Sequence, residues 1–254
     1  MKQQQTTVTK NVPIAKDTYR ITVKLPHFPK ILPGQFLNVK VPNEKFLLRR
    51  PFAICSHDEK NGTVDFGCFV KGGGTQELVK IKKGDLLDIL LPLGNSFPLE
   101  YKNKKVMIIG GGIGVFPMLS VVAAFPNSYA FIGFRSKENA VLIDDFKRHA
   151  KELFICSDDG SLGEHGYCTN IARREYDRIK PDVIFACGPH GMFGALRKIF
   201  ADTRAPIYVS LEQRMACGFG TCICCNQLVE KNGVQENARV CCEGPVFKLE
   251  EVIL

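Results

Sequence analysis

Residues 106–134 read VMIIGGGIGVFPMLSVVAAFPNSYAFIGF, a stretch without one charged side chain. It is longer than a membrane span requires. Yet Gly110, Gly111, Gly112, Gly114, Pro117, Pro126 and Asn127 break it into short pieces. Val106 to Ile109 suits a buried strand, Pro117 to Ala124 a helix, and Tyr129 to Phe134 a second strand. Strands of a parallel sheet are covered on both faces and read as continuous apolar runs. A buried strand–loop–helix–strand unit therefore explains the stretch better than a membrane helix.

The same alternation continues downstream. Apolar strand cores at Ala130–Ile132, Leu153–Ile155 and Val183–Ala186 alternate with helical candidates at Leu142–Leu153 and Gly191–Phe200. This pattern predicts a doubly wound parallel sheet. Upstream the period changes to two. Tyr19, Ile21, Val23 and Leu25 alternate with polar neighbours, as do Leu37, Val39 and Val41, then Val64, Phe66, Cys68 and Val70, then Leu87, Ile89 and Leu91. Turn formers at Pro33-Gly34, Asn61-Gly62, Gly72-Gly73-Gly74 and Gly84-Asp85 separate them, which predicts a small antiparallel β-barrel. From Ser210 the chain is rich in cysteine and poor in periodic apolar residues. Such a tail is expected to bury little core alone and to need a metal for its shape. The chain thus divides into residues 1–101, 102–209 and 210–254.

Composition narrows the class. Hydrophobic residues make up 45% and charged residues 24% of the 254 residues, which excludes disordered and fibrous chains. The net charge is +8, from 34 basic and 26 acidic residues. Its short basic runs are scattered, without the stripe and interleaved aromatics of a nucleic-acid surface. Eleven cysteines stand out, and six of them (Cys217, Cys222, Cys224, Cys225, Cys241 and Cys242) lie near the C-terminus. Met1 is followed by Lys2, Gln3, Gln4 and Gln5, without an apolar signal segment. The expectation is a cytoplasmic chain, not associated with a membrane, whose thiols serve metal or redox work.

Three constellations carry chemistry. Cys217, Cys222 and Cys225 have the C-x4-C-x2-C spacing of plant-type [2Fe-2S] ferredoxins, with a fourth cysteine later. Gly218 and Gly220 permit the tight loop that turns N–H groups toward sulfur. Zinc and inert thiols compete with this reading, but structural zinc usually pairs two C-x2-C units, and the second half here is only Cys241-Cys242. Cys224 lies between two expected ligands and would point away. The second constellation is Gly110-Gly111-Gly112-Ile113-Gly114, after a strand and before a helix. There glycine admits a pyrophosphate and the helix N-terminus stabilises its charge. A plain glycine turn is the alternative, since Val115 breaks the strict GxGxxG pattern. Cys187-Gly188-Pro189 follows another strand and would reach the same sheet edge. The third is Arg49-Arg50-Pro51-Phe52-Ala53-Ile54, with Gly72-Gly73-Gly74-Thr75 downstream. It suits phosphate recognition by arginine and by turn N–H groups, or an exposed basic turn.

Together, Arg-Pro-Phe-Ala, Gly-Gly-Gly-Ile-Gly and Cys-Gly-Pro resemble the ferredoxin–NADP reductase superfamily. The segment Glu212 to Cys225, closed by Val240-Cys241-Cys242-Glu243-Gly244-Pro245-Val246-Phe247, is similar to the electron-transfer subunits of type B, NAD-dependent dihydroorotate dehydrogenase. The resemblance runs over essentially the whole chain. It implies that residues 1–101 bind FAD, 102–209 bind NAD and 210–254 hold a [2Fe-2S] cluster. Arg50, Pro51, Phe52 and Ala53 would contact FAD, although the family usually has Ser or Thr where Ala53 stands. Gly67, Cys68 and Phe69 match a strand beside the cofactor, where the family commonly has an aromatic and an Arg at the last two positions. Gly74 and Thr75 match a pyrophosphate-binding pair. Gly111, Gly112, Gly114, Cys187, Gly188 and Pro189 would serve the nicotinamide nucleotide. Cys217, Cys222, Cys225 and Cys241 would be the cluster ligands, Cys241 being the cysteine three residues before the Gly of Gly-Pro-Val-Phe. Spacing alone does not separate Cys241 from Cys242.

The implied activity is electron relay, with no general acid or base, between NAD and a separate FMN-containing catalytic subunit that converts dihydroorotate to orotate. A heterotetramer with two copies of each subunit is implied. On nucleotide choice, Arg135, Ser136 and Lys137 favour a 2′-phosphate, whereas Glu138 and the resemblance favour NAD. Other flavin and iron–sulfur reductase subunits, of the sulfide dehydrogenase or NADPH–ferredoxin reductase type, share the fold. A non-catalytic zinc module is the reading from another class.

Overall fold

The computed structural model describes residues 1–254. Its first part is a closed barrel of β1 (Lys2–Ala15), β2 (Thr18–Lys24), β3 (Phe36–Val39), β4 (Arg50–Asp58), β5 (Thr63–Phe69) and β6 (Leu86–Leu93). The spatial order is β1-β2-β5-β4-β3-β6, all pairs antiparallel, and β6 closes on β1. The alternating apolar residues of β2, β3, β5 and β6 point inward, with Ile21, Val23, Leu37, Val39, Val64, Phe66, Leu87 and Ile89 fully enclosed. Strand β1 escapes hydropathy patterning because two of its inward residues are polar. Thr6 donates to the Leu87 carbonyl and the Gln4 amide oxygen accepts from the His27 N–H, while the Gln4 amide nitrogen is buried without a partner. Gly73 and Gly74 are not merely turn residues, since they open the short helix α1 (Gly73–Leu78).

The second part is a seven-stranded sheet. In chain order its elements are β7 (Val106–Gly111), α2 (Val115–Ala124), β8 (Ser128–Phe134), α3 (Ile143–His149), β9 (Glu152–Ser157), β10 (Glu164–His165), α4 (Cys168–Ile179), β11 (Val183–Cys187), α5 (His190–Ile199) and β12 (Ile207–Ser210). They are followed by the hairpin β13 (Asn226–Lys231) and β14 (Val234–Arg239), and by β15 (Val246–Lys248). The sheet order is β10-β9-β8-β7-β11-β12-β15, parallel up to β12. Chain direction across the sheet reverses beside β7. The glycine-rich turn after β7 and Cys187-Gly188-Pro189 after β11 therefore meet at one carboxyl edge, with Cys187 in register with Gly110.

One helix boundary changes. Helix α3 ends at His149 instead of continuing to Leu153, because Ala150 is extended and Leu153 pairs with Ala130 in the sheet. The amphipathic helix α4 is charged on its outer face, so a search for apolar runs passes over it. The tail shares the core of the sheet. Strand β15 adds antiparallel to β12, and Val229, Ala238, Val240, Phe247, Leu249 and Val252 pack into the same cluster as the sheet residues. No helix is long and apolar enough to cross a membrane.

Barrel and sheet meet through α2 and α3. A side chain at Gly67 would overlap the Phe116 ring, so β5 lies directly on α2. The Gly34 N–H donates to Ser120 Oγ at 3.2 Å. Arg20 of β2 donates to Asp65 within the barrel at 2.9 Å and to Asp145 of α3 at 3.2 Å, forming an ionic clamp across the seam. Removing it would leave the largely buried Asp65 without a cation and Asp145 with Arg148 alone. Arg20→Met is expected to lower stability by about 2 kcal/mol, read as a lower urea midpoint. Arg148→Met, at the exposed arginine on the outer side of the same Asp145, should change it by less than about 0.5 kcal/mol, since Arg20 still pairs with that carboxylate.

Candidate functional site

The seam opens into a cleft. Arg50, Pro51, Phe52 and Ala53 of β4 and Gly67 and Phe69 of β5 form its barrel wall, with Thr75 of α1 beside them. The opposite wall comes from Phe116, Cys187, Ser210, Leu211, Glu212, Gln213 and Met215. Strand alternation decides which of the expected residues reach it. Gly67 and Phe69 face outward, whereas the Cys68 side chain is enclosed in the barrel core and does not face the cleft.

The two arginines of Arg49-Arg50 have different roles. Arg49 is consumed by a bidentate pair with Asp88 at 2.9 Å and by the Asn38 and Asp88 carbonyls. Arg50 donates only to the Leu48 and Arg49 carbonyls and stacks over Phe46, so its charge meets no carboxylate. Gly74 does not line the cleft. A Cβ there would lie 2.9 Å from the Arg50 guanidinium, so glycine admits the arginine. The Thr75 hydroxyl closes its own turn, accepting from the Lys71 and Gly72 N–H groups and donating to the Gly72 carbonyl. It is therefore a structural hydroxyl, although Thr75 sits at the cleft.

At the carboxyl edge of the sheet lies a second recess. Gly111, Gly112 and Pro189 line it, together with Gly133, Arg135, Asp158, Tyr167 and Met192. Gly114 and Gly188 act through packing instead. A Cβ at Gly114 would overlap the Cys187 carbonyl, and one at Gly188 would approach Met192 to 2.7 Å. Glu138 is not at the recess and pairs with Lys16 at 3.7 Å. The carboxylate that shares the recess with Arg135 is Asp158, which lies one strand away in the fold and far from Arg135 in sequence. The Cys187 thiol is pushed up by burial and by nearby Glu212, so it stays protonated. Glu212 is itself raised by desolvation, with the Lys71 ammonium acting in the opposite direction. Ser210, Glu212 and Lys71 are cleft residues to which the sequence reading assigned no site role. The available signal was the position of Ser210 at the end of a sheet strand, just ahead of the cysteine loop.

That loop joins β12 to β13. Gly218 (φ +79°), Gly220 (φ +93°) and Ile223 (φ +56°) are left-handed, curling the chain around its sulfur atoms. The Phe219 N–H faces Cys217 Sγ and the Cys217 N–H faces Cys222 Sγ, each at 3.5 Å. Burial opposes ionisation of Cys217, but N–H groups of Phe219 and Cys222, the Cys222 thiol and the Thr221 N–H outweigh it and lower the thiol to about 6. Cys225 is buried, and its Sγ accepts from the Cys241 N–H at 3.4 Å. The Cys241 thiol is pushed up by burial and by its neighbours Cys225 and Cys242. The expected ligands thus form two pairs, Cys217 with Cys222 and Cys225 with Cys241. Cys224 is exposed. The loop is tied to the barrel by Asn38, whose amide donates to the Cys217 carbonyl at 3.3 Å. Asn95 bonds both the Val246 carbonyl and the Val246 N–H, at 2.8 and 2.9 Å.

Residues 5–97 match the model of the oxidoreductase FAD-binding domain, and residues 212–253 match that of the iron-sulfur cluster binding domain of dihydroorotate dehydrogenase B. The chain is 36% identical over 263 residues to the dihydroorotate dehydrogenase B (NAD(+)) electron transfer subunit of Geobacillus sp. (strain WCH70), covering 100% of both chains. It is 39% identical over 235 residues to the subunit of the same name from Enterococcus faecalis (strain ATCC 47077 / OG1RF), covering 87% of each. Among solved structures it is similar to an NADH-dependent reduced ferredoxin–NADP oxidoreductase studied for flavin-based electron bifurcation. There the TM-score is 0.84 at 27% identity, over 98% of this chain and 89% of that one. Barrel, sheet, cysteine loop and full-length similarity agree: the chain belongs to the family of dihydroorotate dehydrogenase B electron transfer subunits.

Proposed function

We infer that the chain relays electrons between an FMN-containing subunit that oxidises dihydroorotate to orotate and NAD, by way of FAD and a [2Fe-2S] cluster, in pyrimidine biosynthesis. The carrying observation is the continuity of the site. Ser210, Leu211, Glu212, Gln213 and Met215 wall the cleft, and the same stretch runs directly into Cys217. When bound, FAD supplies the conversion between two-electron hydride exchange and one-electron transfer, and the cluster supplies one-electron conduction toward the partner.

The residues present fit both groups. Arg50 offers the cleft an uncompensated positive charge, and the first-turn N–H groups beside Gly74 and Thr75 lack intrahelical acceptors. A phosphate would satisfy both. Pro51, Phe52 and Ala53 supply the barrel-side wall, while Gly67 keeps that wall flat and Phe69 covers its rim. Gly111, Gly112 and Pro189 leave the second recess open to a nicotinamide nucleotide, with Gly114 and Gly188 holding the two turns together. Cys187, kept protonated by burial, contributes shape and not charge. For the cluster, two thiol pairs suit a core of two irons with two thiolates on each, so Cys217, Cys222, Cys225 and Cys241 are assigned as ligands. N–H groups aimed at sulfur stabilise the thiolate charge there. The reading gives none of these side chains a general acid or base role.

On this reading residues 1–101 form the FAD part, 102–209 the NAD part and 210–254 the cluster part. The assembly is two copies of each subunit. We place the chain in the cytoplasm, since a cysteine-rich chain that commits four thiols to a cluster suits a reducing compartment.

Mixing the chain with an FMN-containing dihydroorotate-oxidising subunit should produce NADH from dihydroorotate and NAD. A rate no higher than that of the FMN subunit alone would contradict the relay. Arg50→Ala should weaken FAD binding by about 1.5–3 kcal/mol, roughly ten- to a hundredfold, in a fluorescence titration of the apoprotein. Arg49→Ala should act mainly on stability. Cys225→Ala should abolish the visible cluster absorption and the bound iron, whereas Cys224→Ala should keep both.

A further inference from the structure

Five of the six C-terminal cysteines, not four, surround the loop. The turn after β14 is closed by the Cys242 and Glu243 N–H groups donating to the Arg239 carbonyl at 3.0 and 2.9 Å. This turn breaks the strand alternation that would send neighbouring side chains to opposite faces. Both thiols therefore lie on one side, with Cys241 Sγ and Cys242 Sγ 3.7 Å apart. Cys241 leans on Cys225, its N–H donating to that sulfur at 3.4 Å. Cys242 Sγ lies under Gly220, where a Cβ would overlap it, between the first two cysteines of the loop in sequence. The placement is braced. Arg239 donates to the Gly220 carbonyl at 3.0 Å and pairs with Glu243 at 3.1 Å, pinning the turn beneath the loop.

We propose that Cys242 is a second fourth ligand, able to replace Cys241 on the iron that Cys225 also holds. The inference rests on the iron–sulfur reading of the loop. A metal–thiolate bond is about 2.3 Å long, so two sulfurs 3.7 Å apart can both reach a single metal atom. Exchange forms one iron–sulfur bond from Cys242 and breaks the one to Cys241. The proton released by the Cys242 thiol passes to the departing Cys241 sulfur, and no oxidation state changes. Cys241 is buried and Cys242 exposed. The protected thiol holds the metal in the resting protein, and the solvent-facing one takes over when Cys241 is lost.

The test uses the full chain carrying FAD, reconstituted anaerobically with ferrous iron and sulfide. Iron and sulfide per FAD are measured, with electron paramagnetic resonance after dithionite reduction. Cys242→Ala should match the unsubstituted protein. Cys241→Ala should retain at least half of the iron with displaced g values, and the double variant should lose more than tenfold. Cys241→Ser, nearly isosteric at the buried position, controls for packing. Its spectrum should coincide with that of Cys241→Ala, because Cys242 supplies the ligand in both. Iron as low in Cys241→Ala as in the double variant, with FAD retained, overturns the inference. So does a Cys241→Ser spectrum unlike that of Cys241→Ala, or an empty Cys242→Ala variant. An unsubstituted protein that takes up neither iron nor sulfide overturns the iron–sulfur reading as well, which separates the two failures.

Discussion

The contact on which the site depends is the meeting of β5 with α2, where the Phe116 ring fills the space a side chain at Gly67 would need. It sets how closely barrel and sheet approach. A bulkier residue at Gly67 would push the walls apart, because packed interiors transmit a displaced ring to its neighbours rather than absorb it. Arg20 holds the same seam from its other end through Asp65 and Asp145. With the seam closed, β4 and the segment after β12 face each other and a cleft exists between them.

The cysteine tail is the second consequence. It has a hairpin and one short strand, too little to bury a core alone. It acquires one by lending β15 to the sheet edge and Val229, Val240 and Phe247 to the sheet's own cluster. Asn38 and Asn95 then fasten it to the barrel. Both are polar residues in or beside barrel strands, and their partners are backbone groups of the tail. A loop held from two directions keeps its N–H groups aimed at sulfur, which a loop hanging from one attachment would not. The same fastening places the Cys242 sulfur beside Gly220.

Charge is handled economically around the cleft. Arg49 and Asp88 neutralise each other inside the wall, leaving Arg50 as the outward cation. Glu212 and Lys71 oppose each other on the far side. In the second recess Arg135 and Asp158 bring one charge of each sign to the carboxyl edge of the sheet. The field in each cavity therefore comes from a few identifiable groups and not from the chain's surplus of +8.

Much of this was legible from sequence, and for local reasons. Period-two and continuous apolar runs are set by which faces are covered, so barrel and sheet could be read without coordinates. The C-x4-C-x2-C spacing and its glycines describe one loop whose geometry is decided within a few residues. Strand β1 was not legible, since Gln4 and Thr6 are buried polar residues whose partners, His27 and Leu87, are distant in sequence. The true end of α3 was not legible either, because sheet pairing of Leu153 overrides its apolar spacing. Which of two adjacent arginines faces the cleft, that Cys68 turns inward, that Asp158 rather than Glu138 joins Arg135, and that two neighbouring thiols lie on one side are all outcomes of tertiary packing. Each depends on an atom distant in sequence, and a linear pattern holds no information about which distant atom arrives.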